Sequence, residues 1–308
     1  MARDALIDVL GLGAVAIDDL IYVDSYPHAE AKVHVRDRHR HFGGQTGTAL
    51  VAAARLGAKT VYAGALGLDA DSDSALEGMT REHVDVSHCK RQDGLAPILS
   101  TIVVGDGGRT RAIFADTRKF RGADPDWPPS GTIRASRVLF VDHWGVEGMI
   151  RAAAIAKQAG VPIVADFERN SSPRFAELLA LADHLVVGHE FAAQLTGEGE
   201  PAAAARRLRK GPHSVVVVTA GSAGCWATES AETPPVLVPA YEVRVRDTTG
   251  CGDVFHGVYA ACLAFGEPLM ERLLNASAAA ALKAERPGGQ DGIPDRAAIS
   301  SFRERHRR

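Results

Sequence analysis

The sequence predicts an α/β fold built on a mainly parallel central sheet. Near-continuous runs of Val, Ile and Leu alternate with Ala-rich stretches of helical period along most of the chain. Strands that are apolar on both faces are typical of a parallel sheet covered by helices on either side. With 308 residues, of which 46% are apolar, the chain can bury a large core, and we expect one domain over residues 1–308.

The alternation of strands and helices can be followed in order. The segments that favour buried strands are residues 6–17, 60–67, 137–143, 161–168, 184–190 and 214–221. The segments of helical period are residues 48–58, 74–83, 148–160, 175–183, 202–211 and 253–266. Ligands of such sheets bind at the carboxyl ends of the strands, where Asp142, Asp166 and the turn at 219–224 are found.

Two segments interrupt this alternation. Residues from about 20 to 42 and from about 96 to 121 read as period-two strands joined by turns, with a hairpin turn at Gly107-Gly108. We expect these strands to form a small β lid over the ligand edge of the sheet. The alternative is that they are surface hairpins without a ligand role.

Composition and charge favour small-molecule partners. The formal net charge is −3, so no overall field attracts nucleic acid or an anionic membrane. The sequence shows no secretion signal and no apolar run long enough to span a membrane. Its four cysteines, at positions 89, 225, 251 and 262, lack metal-site spacing, and we expect a cytoplasmic protein with reduced thiols.

The stretch Arg246–Gly257, RDTTGCGDVFHG, carries the sharpest chemical signal. An alternating segment at residues 240–247 reads as a strand, the glycines at 250 and 252 form a turn, and an apolar helix starts near Gly252 or Asp253. The free N–H groups and the dipole at a helix start attract an anion, and glycines let a phosphate approach the backbone. Asp253 could then accept a proton from a hydroxyl while the turn holds a phosphoryl group. The alternative is a first-turn acid that only stabilises the helix.

A second glycine motif and three weaker signals lie elsewhere in the chain. Gly43-Gly44 open an Ala-rich helix that Gly57 would end, and could present N–H groups to a polar ligand; the alternative is an ordinary glycine turn before the helix. Residues 11–16 match the dinucleotide fingerprint G-x-G-x-x-A, but the next segment alternates like a strand. His39 and His41 favour a solvated edge strand over a metal site. Asp142-His143 lacks the serine elbow of a hydrolase, and no Walker phosphate loop is present.

Taken together, these residues resemble the ribokinase or PfkB family of carbohydrate kinases. Residues 43–58 followed by 63–72 are similar to the N-terminal signature of the family, and residues 247–257 to its C-terminal signature D-T-x-G-A-G-D, with Cys251 in the alanine position. The resemblance covers nearly the whole chain. It implies a ribokinase-like three-layer α/β/α fold with a mainly parallel sheet and a small β lid.

The resemblance also implies roles for matching residues. Asp253 matches the catalytic base, and Gly250, Cys251 and Gly252 match the anion hole that stabilises the transferring γ-phosphoryl group. The residues matching the sugar site are Asp18, Gly43, Gly44, Gln45 and Thr48, the last standing where many relatives have Asn. The residues matching the ATP site are Thr219, Gly221, Gly224 and Asn275.

The cofactors implied by the resemblance are ATP, Mg²⁺ and K⁺. Asp247 and Thr249, with backbone near Gly289, match the monovalent-cation site. The family's N-x-x-E block, associated with Mg²⁺, is altered to residues 188–191, where Glu190 could substitute after a shift of one residue.

The function that these residues imply is an ATP-dependent sugar kinase acting on a primary hydroxyl of a ketose or pentose. Alternatives are a nucleoside kinase or a sulfofructose kinase of the same fold, a non-catalytic sugar-binding regulator, and a dinucleotide-binding oxidoreductase. A sulfonate would call for an arginine near Trp144 and a polar residue near Ile113. The expected partners are a sugar and ATP, without nucleic acid or membrane, and a second copy of the chain that pairs through the lid.

Overall fold

Eight strands of the described chain form one large sheet, in the order β14-β13-β12-β11-β10-β9-β1-β4. The computed structural model describes residues 7–105 and 110–306, so the predicted turn at Gly107-Gly108 lies outside the described residues. The strands are β1 (Ile7–Gly11), β2 (Ala16–Tyr22), β3 (Asp37–Gly43), β4 (Thr60–Tyr62), β5 (Ala65–Leu66), β6 (Lys90–Arg91), β7 (Ile98–Gly105), β8 (Thr110–Asp116), β9 (Ser136–Val141), β10 (Ile163–Asp166), β11 (His184–Gly188), β12 (Val215–Thr219), β13 (Cys225–Thr228) and β14 (Val236–Val238).

Helices cover both faces of this sheet. They are α1 (Gln45–Arg55), α2 (Ala70–Arg81), α3 (Ser130–Arg134), α4 (Val146–Ala159), α5 (Phe175–Leu181), α6 (His189–Thr196), α7 (Pro201–Leu208), α8 (Cys251–Ala264), α9 (Leu269–Ala284) and α10 (Arg296–Arg305). Side chains of β9 alternate between two cores: Val138 and Phe140 pack with α1, α8 and α9, whereas Leu139 and Val141 pack with α4 to α7. The predicted three-layer α/β/α architecture is confirmed.

The strands β4, β1, β9, β10, β11 and β12 pair in parallel, and β13 and β14 continue the sheet in antiparallel fashion. After β14 the prediction of a strand over residues 240–247 is wrong, since no strand is assigned there. The N–H groups of Arg246 and Asp247 donate to the Ala284 carbonyl at the end of α9, at 2.7 and 3.1 Å. Alternation in this segment therefore reflects a loop that crosses α9 and not a sheet edge.

A second sheet, which we call the lid sheet, has the order β3-β2-β7-β8. It contains the two predicted β segments, although its first strand starts at Ala16, earlier than expected. Since β1 is followed by β2 and not by a helix, the dinucleotide-fingerprint interpretation is wrong. The outer strand β3 is charged and exposed, with Arg40 bonded to Asp19 and Asp71, as expected of a solvated edge.

All four cysteines are free thiols. None of the helices in residues 7–105 and 110–306 has the length and apolar character needed to cross a membrane.

Candidate active site

Helix α8 begins at Cys251, directly after Gly250, whose φ of 75° is left-handed and favours glycine. A side chain at position 250 would also lie 3.0 Å from a neighbouring carbonyl oxygen. The Cys251 N–H donates to the Thr248 carbonyl at 3.2 Å, whereas the N–H groups of Gly252 and Asp253 meet no acceptor within the described residues. The helix start therefore offers an anion the donors of Gly252 and Asp253, while that of Cys251 is already used.

Acidic side chains converge where β9, β10 and α8 meet. Asp142 follows β9, Asp166 ends the neighbouring strand β10, and Asp253 lies in the first turn of α8. Burial raises the pKa of Asp253, and repulsion from Asp166, Glu168 and Asp142 raises it further. A carboxylate held this way is a stronger proton acceptor than an exposed one, which suits a general base.

The carboxylates differ in how many hydrogen bonds they accept. Asp142 accepts the N–H groups of Ala14 and Trp144 and the Thr46 hydroxyl, at 2.6, 2.8 and 2.9 Å. Burial outweighs these bonds and raises the pKa of Asp142 to about 6. Asp166 is only 3% exposed, and its Oδ2 meets no donor among the described residues. Burial and the neighbouring acids raise its pKa well above the usual range.

His256, one turn after Asp253, links α8 to the sheet. Its Nδ1 lies 2.7 Å from the Gly252 carbonyl oxygen and its Nε2 lies 2.9 Å from the Val186 carbonyl oxygen. Carbonyl oxygens only accept, so each of these hydrogen bonds uses a ring N–H. The nearest carboxylate to the ring is that of Asp166, at 3.5 Å. Among the neighbours of Asp253, His256 is the group that lowers the pKa of its carboxyl, against burial and the nearby acids.

The predicted sugar-binding residues lie at the junction of the lid sheet and α1. Asp18 is on β2 beside β3, and a side chain at Gly43 would lie 2.7 Å from its Oδ2. Burial raises the pKa of Asp18 despite a hydrogen bond with Ser100 and the nearby His41. Gly44, with a φ of 86°, is the N-cap of α1. The glycine pair thus lets the Asp18 carboxylate lie directly over the helix start.

The next two predicted residues are buried in α1. Gln45 reaches towards the Asp166 carbonyl, with Nε2 3.5 Å from that oxygen. Thr48 is also buried, and its hydroxyl accepts from Gln290 Nε2 at 3.3 Å. The Thr48 hydroxyl therefore already has a protein partner, whereas Gln45 joins the sugar side to the carboxylate cluster.

The predicted nucleotide turn follows β12. Thr219 ends the strand, and its hydroxyl donates to the Val187 carbonyl at 3.4 Å. Gly221 begins a short 3₁₀ turn that Gly224 ends, and the Ala220 N–H closes the loop by donating to the Gly224 carbonyl at 2.8 Å. The turn follows β12 at its carboxyl end, at the same edge as the end of β10.

The side-chain contacts of Asn275 do not place it at the predicted nucleotide turn. It lies in α9, where its amide donates to Glu267 at 2.9 Å and its carbonyl accepts from Arg303 at 2.5 Å. The side chain thus ties α9 to α10 and to the preceding loop. An adenine contact by Asn275 stays a prediction.

The predicted cation residues do come together, with an addition that the sequence did not suggest. Asp247 accepts the Thr249 N–H at 2.8 Å and the Gly288 N–H at 2.9 Å, while Gly289 lies against Gly250. The Asp247 carbonyl accepts from the ammonium of Lys283 at 3.1 Å. Its sequence context, the last turn of an Ala-rich helix, favours an exposed lysine, so no sequence signal marked it.

Glu190 lies exposed in the first turn of α6, after β11. No group of three His, Cys, Asp or Glu side chains in the described ranges could hold a metal ion. Mg²⁺ commonly takes one or two carboxylates together with substrate phosphates and waters. Glu190 therefore fits a magnesium ion that arrives with the nucleotide, and stays a prediction.

His143, which the sequence singled out only to reject a hydrolase, follows Asp142 on the sheet edge. Its ring lies 5.3 Å from that of Trp144, and its buried Nδ1 has no hydrogen-bond partner in the described structure. Burial and the nearby Arg169 lower the pKa of His143 to about 4. A neutral imidazole with an unused nitrogen can accept from, or donate to, a sugar hydroxyl.

Comparison with known proteins decides the family. The model of the pfkB family carbohydrate kinases matches residues 8–296. The chain belongs to the PfkB family of carbohydrate kinases. It is an enzyme that phosphorylates a sugar hydroxyl. It is 26% identical over 300 residues to the ribokinase of Mus musculus, covering 93% of this chain and 91% of the mouse protein.

Solved structures agree with this fold. A crystal structure of an Agrobacterium tumefaciens protein provisionally described as a ribokinase superposes with a TM-score of 0.89 at 28% identity, covering 98% of this chain and 99% of that one. Arabidopsis thaliana ribokinase, crystallised with ribose and ATP, gives a TM-score of 0.85 at 22% identity, covering 96% and 98%. The second likeness concerns the fold alone.

Proposed function

We propose that this PfkB-family kinase uses ATP and Mg²⁺ to phosphorylate a primary hydroxyl of a ketose or pentose. The observation that carries the proposal is the first turn of α8, where a base and an anion site share one helix start. The free N–H groups of Gly252 and Asp253 can hold the transferring phosphoryl group, and the Asp253 carboxylate can take the hydroxyl proton. Asp18, over Gly43, would bind the sugar hydroxyls.

A magnesium ion bound with the nucleotide would offset the negative charge of the phosphates. Glu190, beside the turn after β11, and Thr219, Gly221 and Gly224, after β12, would hold the nucleotide. We also propose that the lid sheet, which carries Asp18 and Gly43, acts as a lid over the start of α1 and pairs two copies of the chain.

A substrate panel with an ADP-release assay tests the proposal. We expect turnover with fructose-like or ribose-like sugars and weaker or no turnover with nucleosides. Preference for a nucleoside, or absence of ADP release with every sugar, would contradict it. Sulfofructose belongs in the panel because Arg169 lies close enough to His143 to lower its pKa further than burial alone, and an arginine near Trp144 is what a sulfonate would require.

The matched variant is Asp253→Asn. We expect it to fold and to bind ATP with Mg²⁺, and to lose about 10²–10⁴ in kcat because the proton acceptor is gone. Glu147→Gln is the control, since Glu147 also lies in the first turn of a helix that follows a left-handed glycine, Gly145. Equal turnover of Asp253→Asn and the wild type would remove the assigned role.

A further inference from the structure

Lys283 is completely buried, with 0% of its surface exposed, in the last turn of α9. Lysine is almost never found fully buried unless its charge is paired. Its ammonium donates to the backbone carbonyl of Asp247 at 3.1 Å. A buried cation therefore lies directly beneath the segment that leads into the anion-binding start of α8.

The same segment is held from several sides. The Asp247 carboxylate accepts the Thr249 N–H through Oδ1 and the Gly288 N–H through Oδ2. The N–H groups of Arg246 and Asp247 donate to the carbonyl of Ala284, the residue after Lys283. Lys283 thus belongs to a compact junction of the 246–250 segment, the end of α9 and the 288–289 backbone.

A monovalent cation is implied here by the family resemblance, through Asp247, Thr249 and Gly289. The donor set does not fit that ion. The carbonyl oxygen of Asp247 already accepts a hydrogen bond from the Lys283 ammonium, and each carboxylate oxygen of Asp247 accepts a backbone N–H. A potassium ion on the same oxygens would face the ammonium of the buried Lys283, and like charges at such a distance repel each other.

The charge of Lys283 acts to lower the pKa of two neighbouring groups, Asp247 and Cys251. Burial raises the pKa of Asp247, but the hydrogen bonds from Thr249, the Lys283 charge and the Gly288 N–H together bring it below its usual value. Burial also raises the pKa of the Cys251 thiol, and the Lys283 charge opposes that rise. The ammonium thus has the electrostatic effect that a bound cation would have on this turn.

We propose that the Lys283 ammonium permanently replaces the monovalent cation, ordering residues 247–250 and making the kinase independent of potassium. Lys283 is a positioning residue, since it acts on the anion site through the Asp247 backbone. The kinetic part of this inference rests on the proposed function, whereas the structural part does not.

The first test exchanges the cation for the wild-type enzyme. ADP release and ATP·Mg²⁺ affinity are measured in K⁺, in Na⁺ and in N-methylglucamine, and we expect differences smaller than the roughly 5-fold that marks even modest coupling between sites. Saturable activation by K⁺ above that level would overturn the inference. If no sugar in the panel is phosphorylated, the proposed function fails, and the ATP affinities still decide this question.

The second test uses Lys283→Met, which keeps the length of the side chain. We expect weaker ATP·Mg²⁺ binding and lower turnover in N-methylglucamine, and partial recovery of both with K⁺ or NH₄⁺. Lys157→Met, which removes a half-exposed lysine of α4 paired with Asp183, should show neither the loss nor the recovery. A Lys283→Met enzyme with wild-type ATP affinity and turnover in N-methylglucamine would overturn the proposal.

A third test needs no activity, and its deciding measurement uses the wild-type protein alone. Crystals of the wild-type protein are soaked in Rb⁺, whose anomalous signal locates it. We expect no Rb⁺ within coordination distance of the Asp247 carbonyl, and an Rb⁺ peak at that position in Lys283→Met if its crystals are obtained. An Rb⁺ peak on the Asp247 oxygens of the wild type would contradict the inference directly.

Discussion

At Asp253, some neighbouring groups stabilise the negative charge of the carboxylate and others destabilise it. The free N–H groups and the dipole of α8 favour an anion at the helix start, and His256 acts in the same direction on the pKa of Asp253. Burial and the acids at 142, 166 and 168 act in the other direction and prevail, so the pKa of Asp253 is raised. A carboxylate arranged in this way suits the proposed role of proton acceptor.

The raised pKa sets the pH dependence of the reaction. Asp253 must be ionised to act as a base, so kcat/KM should rise with pH through its pKa. Asp166→Asn removes one repelling carboxylate, and the acidic limb should move to lower pH by about 1 pH unit. Glu168→Gln is the control for an exposed acid and should move it less. A limb that stays in place, or moves to higher pH, would show that Asp166 does not repel Asp253.

The same raised pKa predicts a gain in stability when the base is removed. Ionising Asp253 is less favourable in the folded chain than in the unfolded one, so stability is lost as pH rises through the folded-state pKa. Asparagine stays neutral. Asp253→Asn should therefore raise Tm by about 2–4 °C at alkaline pH, with little gain at acidic pH. Differential scanning calorimetry against Glu147→Gln checks this, and an equal or lower Tm at alkaline pH would contradict it.

At the residue scale, the sequence revealed the groups whose chemistry is local. Asp253 and Gly250 stand out because a turn, a helix start and an acid lie within a few positions. Lys283 and His256 were not predicted, because their contacts are with residues distant in the sequence. Their partners, the carbonyls of Asp247 and Val186, come from segments 36 and 70 positions away, and burial at such a distance leaves no local pattern.

At the scale of elements, α1 and α8 pack closely enough that one glycine decides their distance. A side chain at Gly257 would lie 2.1 Å from the Ala49 carbonyl oxygen, closer than any real contact. Both helices begin at the candidate site, α1 beside the predicted sugar-binding residues and α8 at the proposed anion site. This contact therefore sets how the two halves of the site face each other.

Gly257→Ala should move the two helices apart. Overpacking of this kind costs about 1–3 kcal/mol of unfolding free energy, although alanine in a helix interior would otherwise stabilise by roughly 0.5–1 kcal/mol. Gly131→Ala in α3, where a side chain meets nothing within 4 Å, is the control and should be neutral or stabilising. Urea unfolding measures both, and a Gly257→Ala protein as stable as Gly131→Ala would refute the contact.

Helices and buried strands were predicted well because their patterns are set by the element itself. The apolar stripe from Val254 to Phe265 predicts α8 to within a few residues of its bounds. The alternating segment 240–247 misled because period two is also produced by a loop with one side packed, as Tyr241 and Val243 are in the core beside α9. Only pairing with a neighbouring strand distinguishes the two cases, and no strand is assigned to residues 240–247.

At the scale of the whole molecule, contacts beside the candidate site join the lid sheet, and the loop that follows it, to the main body. His41 on β3 lies 3.1 Å from Asp291, and the ring of Phe120 lies 5.3 Å from that of Trp144. The first contact joins the lid to the loop beside Gly288, and the second joins it to the edge that carries His143. Closure of the lid would thus act on the sugar side and on the anion side together.

The outer strand of the lid sheet carries the last prediction. On β8, Ile113 and Phe114 are 54% and 59% exposed, and β8 has a free edge within the described sheet. An exposed apolar edge strand favours association, which supports the proposed pairing of two copies through the lid.

The wild type should be a dimer by light scattering after gel filtration, and Phe114→Asp should shift it to monomer. Leu237→Asp, on the edge strand β14 and 46% exposed, should remain dimeric because the main sheet is not the proposed interface. A monomeric wild type, or dissociation by Leu237→Asp alone, would place the association elsewhere or remove it.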